Sequence, residues 1–320
     1  MPQMIDPLNA KILRDLLEDG RKTFTQIAKE NNTSKDVITK RYKQMKNAGI
    51  IVGATVHTSP ACYGANLVAD IYLKIKSSKE KQVLELVKKI PQFLYVYNIG
   101  IHPGLAALLI LKNIEELEGI KELIKKMPYI LGFEIIVLLG IRTSPENLSI
   151  LSSQDDPAKK YNIITQKRKI QIDKIDTEII ERLAVNGRVT FREIADELKI
   201  STDTIKKRYA KLKQNGDLKV VIQIDPTKIG YSAFAIFNLA FSEENSPSYI
   251  LDLAKIPDAN FVIKTSGNFD VMLSFMICNI QQLIAVQEKI ASMPGLIDMQ
   301  ITLGKLFNVW PLPREFTSTF

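Results

Sequence analysis

The chain has 320 residues, 46% hydrophobic and 24% charged, with a formal net charge of +8 and two cysteines, Cys62 and Cys278. Two unrelated cysteines exclude a disulfide framework and a paired metal site. The longest apolar runs, residues 105–111 and 135–141, fall far short of the roughly 18 residues a membrane span requires. The first residues also lack the basic flank and apolar stretch of an export signal, so the expected compartment is the cytoplasm, with no membrane partner.

In chain order, Leu8, Ile12, Leu13, Leu16 and Leu17 recur at helical spacing. Gly20 ends that helix where a left-handed residue costs little. Thr23 is positioned to cap a short second helix turning Phe24, Ile27 and Ala28 inward, and Asn31-Asn32-Thr33 leads to Ser34, an N-cap for a third helix. That helix is expected to pack the stripe Val37, Ile38, Tyr42 and Met45, leaving Lys35, Thr39, Lys40, Lys43 and Lys46 on or beside the opposite face. Gly49 and the β-prone Ile50-Ile51-Val52 follow, as a wing strand would. After Pro60 the pattern predicts strand 67–75, helix 79–90, strands 93–99 and 105–111, helix 114–127 and strand 133–139. This βαββαβ order implies an antiparallel sheet with helices on one face, a ferredoxin-like sandwich.

Residues 143–169, rich in Ser, Pro and mixed charge, read as a linker whose basic end is Lys167-Arg168-Lys169. The first pattern then returns. Gly20/Gly187, Phe24/Phe191, Ile27/Ile194, Ala28/Ala195, Ser34/Ser201 and Arg41-Tyr42/Arg208-Tyr209 stand at a constant offset of 167 residues, the mark of an internal duplication. In the second copy Ser201 caps, Ile205, Tyr209 and Leu212 pack, and Lys206, Lys207, Lys211 and Lys213 face outward; a β-prone run follows from Leu218. After Pro226 the βαββαβ order recurs over 232–241, 248–256, 260–265, 271–277, 280–293 and 297–303. Trp310, the single tryptophan, is expected to cover an apolar edge. The organisation is therefore α+β, a winged helix-turn-helix plus a ferredoxin-like sandwich, the pair repeated twice. Its expected units are 1–57, 58–142, the linker 143–169, 170–225 and 226–320. The open sheet face of each sandwich needs a cover, and the other copy is the obvious one.

Charge follows the same division: net +4 over 1–56, +2 over 57–166, +5 over 167–224 and −3 over 225–320. Positive charge concentrated in two small modules points to two polyanion-facing surfaces. Three short helices with a tight turn before a basic third helix describe a helix-turn-helix whose third helix enters the major groove of double-stranded DNA. The candidate DNA contacts are Ser34, Lys35, Thr39, Lys40, Arg41 and Lys43 in the first copy, and Ser201, Thr202, Lys206, Lys207, Arg208 and Lys211 in the second. The competing reading is a solvated basic helix on a three-helix bundle. Arg41 and Arg208, each just before a packed tyrosine, reach either DNA or an acid of their own module.

A helix-turn-helix followed by βαββαβ resembles the leucine-responsive, or Lrp/AsnC, family of transcription regulators. The likeness rests on the stretch from Ser201 to Arg208, Asp225-Pro226 with Gly230-Tyr231, Gly267-Asn268-Phe269-Asp270, and Met293-Pro294-Gly295-Leu296. The resemblance implies an amino-acid-like effector bound where effector domains meet, near Thr265, Gly267, Asn268, Phe269 and Asp270, with Gly100 and His102 as the first copy's counterparts. The first copy departs from the pattern: it has Gly100-Ile101-His102-Pro103-Gly104 where the Gly-x-aromatic-Asp turn would be. An alternative reading of those stretches is that Asp270 only caps a tight turn. Homo-oligomers of the duplicated chain are expected.

The two histidines, His57 and His102, are non-equivalent, and no zinc, nucleophile-elbow, Walker or dinucleotide pattern occurs. No catalytic residue, metal site or cofactor is therefore expected. Two alternatives to a specific regulator stand: a non-specific DNA-packaging protein, and a siroheme-decarboxylase-like enzyme on the same fold. The two recognition helices differ in sequence, which predicts an asymmetric operator.

Overall fold

The computed structural model describes residues 5–58, 62, 65–98, 104–143, 146–152, 172–216, 218–242 and 249–312. The first three helices are α1 (Pro7–Glu18), α2 (Phe24–Glu30) and α3 (Lys35–Asn47). Asp6 starts α1: its carboxylate accepts from the N–H groups of Leu8 and Asn9 at 3.0 and 2.9 Å, with Pro7 in the first turn. Strand β1 (Ile51–Thr58) follows, then β2 (Leu67–Ile75), α4 (Glu80–Val87), β3 (Phe93–Asn98), β4 (Gly104–Leu111), α5 (Ile114–Lys125) and β5 (Ile130–Thr143). The second half repeats the order: α6 (Lys174–Val185), α7 (Phe191–Leu198), α8 (Thr202–Gln214), β6 (Leu218–Ile224), β7 (Ala233–Phe241), α9 (Tyr249–Ala254), β8 (Ala259–Thr265), β9 (Val271–Ile277), α10 (Ile280–Ala291) and β10 (Leu296–Lys305).

Eight strands form one antiparallel sheet in the order β10-β7-β9-β8-β5-β2-β4-β3. Each half contributes the ferredoxin-like arrangement, and the two join edge to edge where β5 pairs β8, Leu138 opposite Thr265 and Thr143 opposite Phe261. Helices cover one face of each half. Beneath α4 and α5 lie Ile71, Leu73, Val96 and Leu109, and beneath α9 and α10 lie Phe237, Leu239, Leu273 and Phe275. The opposite faces meet each other in a common core holding Val68, Ile136, Ile236, Met272 and Met276, and the Tyr72 hydroxyl donates to Met272 Sδ at 3.4 Å across the join.

Two sequence expectations need correction. The β-prone run after each third helix does not fold back as a wing on its own module. Instead β1 and β6 pair antiparallel with each other, Ala54 opposite Ile222 and Val56 opposite Val220. The strands are exchanged as they pair: α1 packs on β6 and α6 on β1. Both strands bury successive residues, Ala54-Thr55-Val56 in β1 and Val220 to Ile224 in β6, so each has two faces to cover, and each packs one against the other copy's helices.

The second correction concerns the linker. Its beginning is packed: Leu148 and Leu151 are fully buried in the core shared with α1. Asn147 Nδ2 donates to the carbonyls of Ile256 and Ala259 at 3.0 and 2.8 Å. Asp258 accepts from the Ser149 N–H and hydroxyl, both at 2.6 Å, from Gln282 at 2.7 Å and from the Tyr231 hydroxyl. A buried carboxylate is tolerated because four donors surround it. Burial of the phenol, with the charge of Asp258 adding to it, pushes Tyr231 well above the ordinary tyrosine range. Residues 153–171, including Lys167-Arg168-Lys169, lie outside the described residues. Trp310 is fully buried, edge-on to Phe261, and exchanges two 2.7 Å backbone bonds with Ile224.

Candidate nucleic-acid interface

Local sequence sets the pose of both third helices. Thr23 with Gln26, and Thr190 with Glu193, form reciprocal capping boxes that start α2 and α7. The turns that follow place Asn32 and Lys199, equivalent residues, at φ +49° and +53°, which sharpens the chain direction before the next helix. Ser34 Oγ then accepts from the Val37 N–H at 3.3 Å, and Ser201 Oγ from the Thr204 N–H at 3.1 Å. Ile38 and Met45 anchor α3, Ile205, Tyr209 and Leu212 anchor α8, and the rings Phe24–Tyr42 and Phe191–Tyr209 each pack at 5.0 Å. Burial holds the Tyr209 hydroxyl up at about 12, with the Asp19 carboxylate adding to it. Val37, expected in the apolar stripe, is instead 38% exposed. It sits about 100° around the helix from Ile38, beyond the width of the contact with α1 and α2.

The outward faces carry most of the candidates. Ser34, Lys35, Lys40, Lys43, Ser201, Lys206, Lys207 and Lys211 are exposed, and Thr39 and Thr202 are half-buried. The Thr39 hydroxyl donates to the Lys35 carbonyl at 2.8 Å, and Lys206 pairs with Asp203 at 3.3 Å.

Arg41 and Arg208 differ from the rest. Arg41 donates to Asp6, and to Asn9 at 3.1 Å; Arg208 donates to Asp173 and Asp176 at 2.6 and 2.9 Å. Each guanidinium ties the third helix to the start of the first. Burial raises the Asp6 carboxyl, but the Asn9 N–H and Arg41 outweigh it and the net direction is down; the Asp173 and Asp176 hydrogen bonds raise Arg208 further.

A second pair of arginines, which helical spacing does not single out, joins the two modules. Arg21 donates to the carbonyls of Gly187 and Val189 at 2.9 and 2.8 Å, and Arg188 to that of Gly20 at 2.6 Å. Arg21 lies over Phe191 at 4.2 Å and Arg188 over Phe24 at 5.1 Å, with Lys213 bridging to Asp19 at 2.7 Å. Burial lowers Arg21 from its ordinary range, although cross-module carbonyls satisfy it. The Gly-Arg step kept in both copies was the available signal. It also corrects the reading of Gly20 as a left-handed helix stop. The Gly20 N–H donates to the Val220 carbonyl at 2.7 Å, and a Cβ there would meet the Val221 backbone at 2.7–2.9 Å. Gly187 makes the same approach to β1, its N–H on the Ala54 carbonyl at 2.8 Å.

The effector candidates sit at the join of the halves. Ser266 exchanges bonds with Val137 of the first half: its N–H donates at 2.9 Å and its hydroxyl accepts at 3.2 Å. Within the turn, Thr265 Oγ1 donates to the Phe269 carbonyl at 2.7 Å, and Asp270 Oδ2 accepts from the Phe241 N–H at 2.8 Å. Gly267 stands at φ +111°, a conformation that glycine adopts freely. Gly267 and Asn268 are exposed, Phe269 and Asp270 half-buried. Gly100 and His102 lie outside the described residues. Among the described residues no three His, Cys, Asp or Glu side chains are grouped to hold a metal, and no helix is long and apolar enough to cross a membrane.

Comparison with known proteins agrees with this geometry. A model of winged helix-turn-helix DNA-binding domains matches residues 5–52, and one of the AsnC-type helix-turn-helix domain matches 172–213. The regulator FL11 of Pyrococcus horikoshii is 30% identical over 129 residues, 40% of this chain and 85% of the relative. The regulator Ptr1 of Methanocaldococcus jannaschii is 32% identical over 114 residues, 36% of this chain and 77% of the relative. A solved structure of the siroheme decarboxylase NirDL aligns over 98% of this chain and 96% of its own, with a TM-score of 0.62 at 16% identity, a likeness of fold alone. Two helix-turn-helix modules on ferredoxin-like halves, with relatives that are regulators, give the conclusion that the chain belongs to the Lrp/AsnC family of DNA-binding helix-turn-helix transcription regulators.

Proposed function

We propose that one chain acts as a covalently joined pair, reading two unlike half-sites of double-stranded DNA through α3 and α8 in sequence-specific regulation. The observation that carries this is the reciprocal lock of the modules by Arg21 and Arg188, which fixes the two outward basic helices relative to each other. Lys35, Lys40 and Lys43, and Lys206, Lys207 and Lys211, hold phosphate or base edges, with Ser34 and Ser201 at the helix starts. Substituting Lys206 and Lys207 with Ala should flatten the salt dependence of binding by about one to two phosphate contacts. Arg208→Ala is the counter-test. Its partners are Asp173 and Asp176, so it should lower the melting midpoint and leave the slope unchanged. An unmoved slope in the double-lysine variant would put that face away from DNA. A packaging protein would instead show shallow discrimination between sequences.

As its sequence relatives are regulators, the protein acts in this proposal without enzymatic activity and in the cytoplasm. Further association of chains would extend the operator. An amino-acid-like effector would be met at the Gly267–Asp270 turn, where Asp270 uses one oxygen to cap Phe241 and has the other for an ammonium group. A screen of the amino acids by thermal shift should find a stabilising ligand whose effect Asp270→Asn abolishes. A shift that survives the substitution would place the effector elsewhere, and no shift with any of them would leave Asp270 as a turn cap.

A further inference from the structure

The outward stripe of each recognition helix holds a residue that a surface built only to attract phosphate would exclude. Taking the buried line of α3 as Ile38 and Met45, the opposite side at 100° per residue is Asp36, Lys40, Lys43 and Asn47. In α8, with Ile205, Tyr209 and Leu212 buried, it is Asp203, Lys207, Ala210 and Gln214. All eight are exposed. The flanks diverge between the copies, Lys35 against Thr202, Val37 against Thr204 and Thr39 against Lys206, and so does the outward pair Lys43 and Ala210. The carboxylate and the lysine four residues on stay the same.

A carboxylate at the centre of a face that meets a polyanion costs electrostatic energy with every phosphate nearby. It is not needed as a cap, because Ser34 and Ser201 already accept from the Val37 and Thr204 N–H groups. Among the described residues Asp36 has no hydrogen-bond or ion-pair partner. Asp203 has only the exposed Lys206, at 3.3 Å, and its own side chain is 82% exposed. Such a group offsets its cost where DNA offers a donor, and the major groove offers one kind, the exocyclic amino groups of cytosine and adenine. Cytosine suits a carboxylate better, since the adenine amino group lies beside the N7 lone pair. One turn on, Lys40 or Lys207 stands within about 6 Å of the carboxylate's stem and donates to guanine O6 or N7.

Resting on the reading that α3 and α8 enter the groove, we propose that Asp36 and Asp203 are specificity-determining residues, each accepting from the N4 amino group of a cytosine. With Lys40 and Lys207 they read a cytosine-guanine element common to both half-sites. The divergent flanks make the half-sites unlike outside that element.

The test uses the full-length chain and a site selected from random duplex, with every base pair of both half-sites varied singly at fixed salt. Asp203→Ala should erase about ten-fold or greater discrimination at one cytosine of one half-site, and Asp36→Ala at one cytosine of the other. Affinity for non-specific duplex should stay the same or rise. Asp→Asn variants with unchanged melting midpoints guard against effects on folding. If both Ala variants bind all sequences more tightly with the discrimination pattern intact, the carboxylates serve only the helix dipole and the proposal falls. Preference for adenine at the affected position would overturn the assignment to cytosine. Lys43→Ala and Lys211→Ala, lysines outside the element, separate the two levels: an unchanged salt slope in both removes the groove reading itself, whereas a reduced slope with discrimination intact in the Asp variants removes this proposal alone.

Discussion

Gly20 and Gly119 show how the same residue type is demanded at one position and tolerated at another. A Cβ at Gly20 would stand 2.7–2.9 Å from the Val221 backbone, atoms that cannot rotate away, whereas one at Gly119, on α5, would meet nothing within 4 Å. Gly20→Ala should therefore cost about 2–3 kcal/mol by overpacking, and Gly119→Ala should stabilise by about 0.5–1 kcal/mol through helix propensity. Denaturant midpoints of the two variants check both signs. His57 offers a residue-scale test by pH. It is half-buried on β1 opposite Lys219, and burial, with the lysine's charge adding to it, lowers it to about 4. The folded protein keeps the imidazole neutral while the unfolded chain takes up a proton below about 6.5. Stability from this residue is thus unaffected above that pH and lost as pH falls from about 6.5 to 4, by roughly 1–2 kcal/mol after allowing for its partial exposure. In His57→Gln this part of the pH dependence should disappear from the unfolding curves. Its persistence would assign the acid sensitivity to other groups.

At the scale of elements, local signals were readable where the cause is local. Thr23, Ser34, Thr190 and Ser201 each accept at the start of the helix they precede, because capping is decided within four residues. The βαββαβ order could be read in both halves because strands of period two and helices of period 3.6 alternate. The cover of each sheet face by the other copy could be read too, but not which strand and loop residues the other copy would claim. Strand β1 has the composition of a wing, and nothing in its residues says that its partner lies at 218–224 rather than in its own module. Asn147, Leu148, Ser149 and Leu151 sit in a Ser- and Pro-rich stretch of linker composition, yet the Ile256 and Ala259 carbonyls, Asp258 and the α1 core recruit them from more than a hundred residues away. At the candidate site the exposed lysines could be read from helical spacing. The capture of Arg41 and Arg208 could be read only as one of two alternatives, because Asp6 and Asp173 lie some 35 residues earlier in the chain.

The whole molecule is organised around its duplication. Edge pairing of β5 with β8 merges two ferredoxin-like halves into one sheet, and exchange of β1 and β6 merges two helix-turn-helix modules into one unit. A pair of separate chains would lose this arrangement on dilution; one chain keeps it, and keeps the freedom to let its two recognition helices diverge. Segment 146–152 connects the levels, since Ser149 is held by Asp258 of the second sheet half while the Leu151 carbonyl accepts from Arg14 of α1 at 3.3 Å. The central claim is that one chain reads two unlike half-sites held at a fixed separation. Selection of bound fragments from random duplex at near-physiological salt, followed by footprinting of the winners with and without five inserted base pairs, tests it most directly. The expected result is an asymmetric site protected over two adjacent turns of one DNA face, with affinity falling to that of a single half-site on insertion. Enrichment of a perfect palindrome, indifference to the insertion, or binding without any enrichment would contradict it.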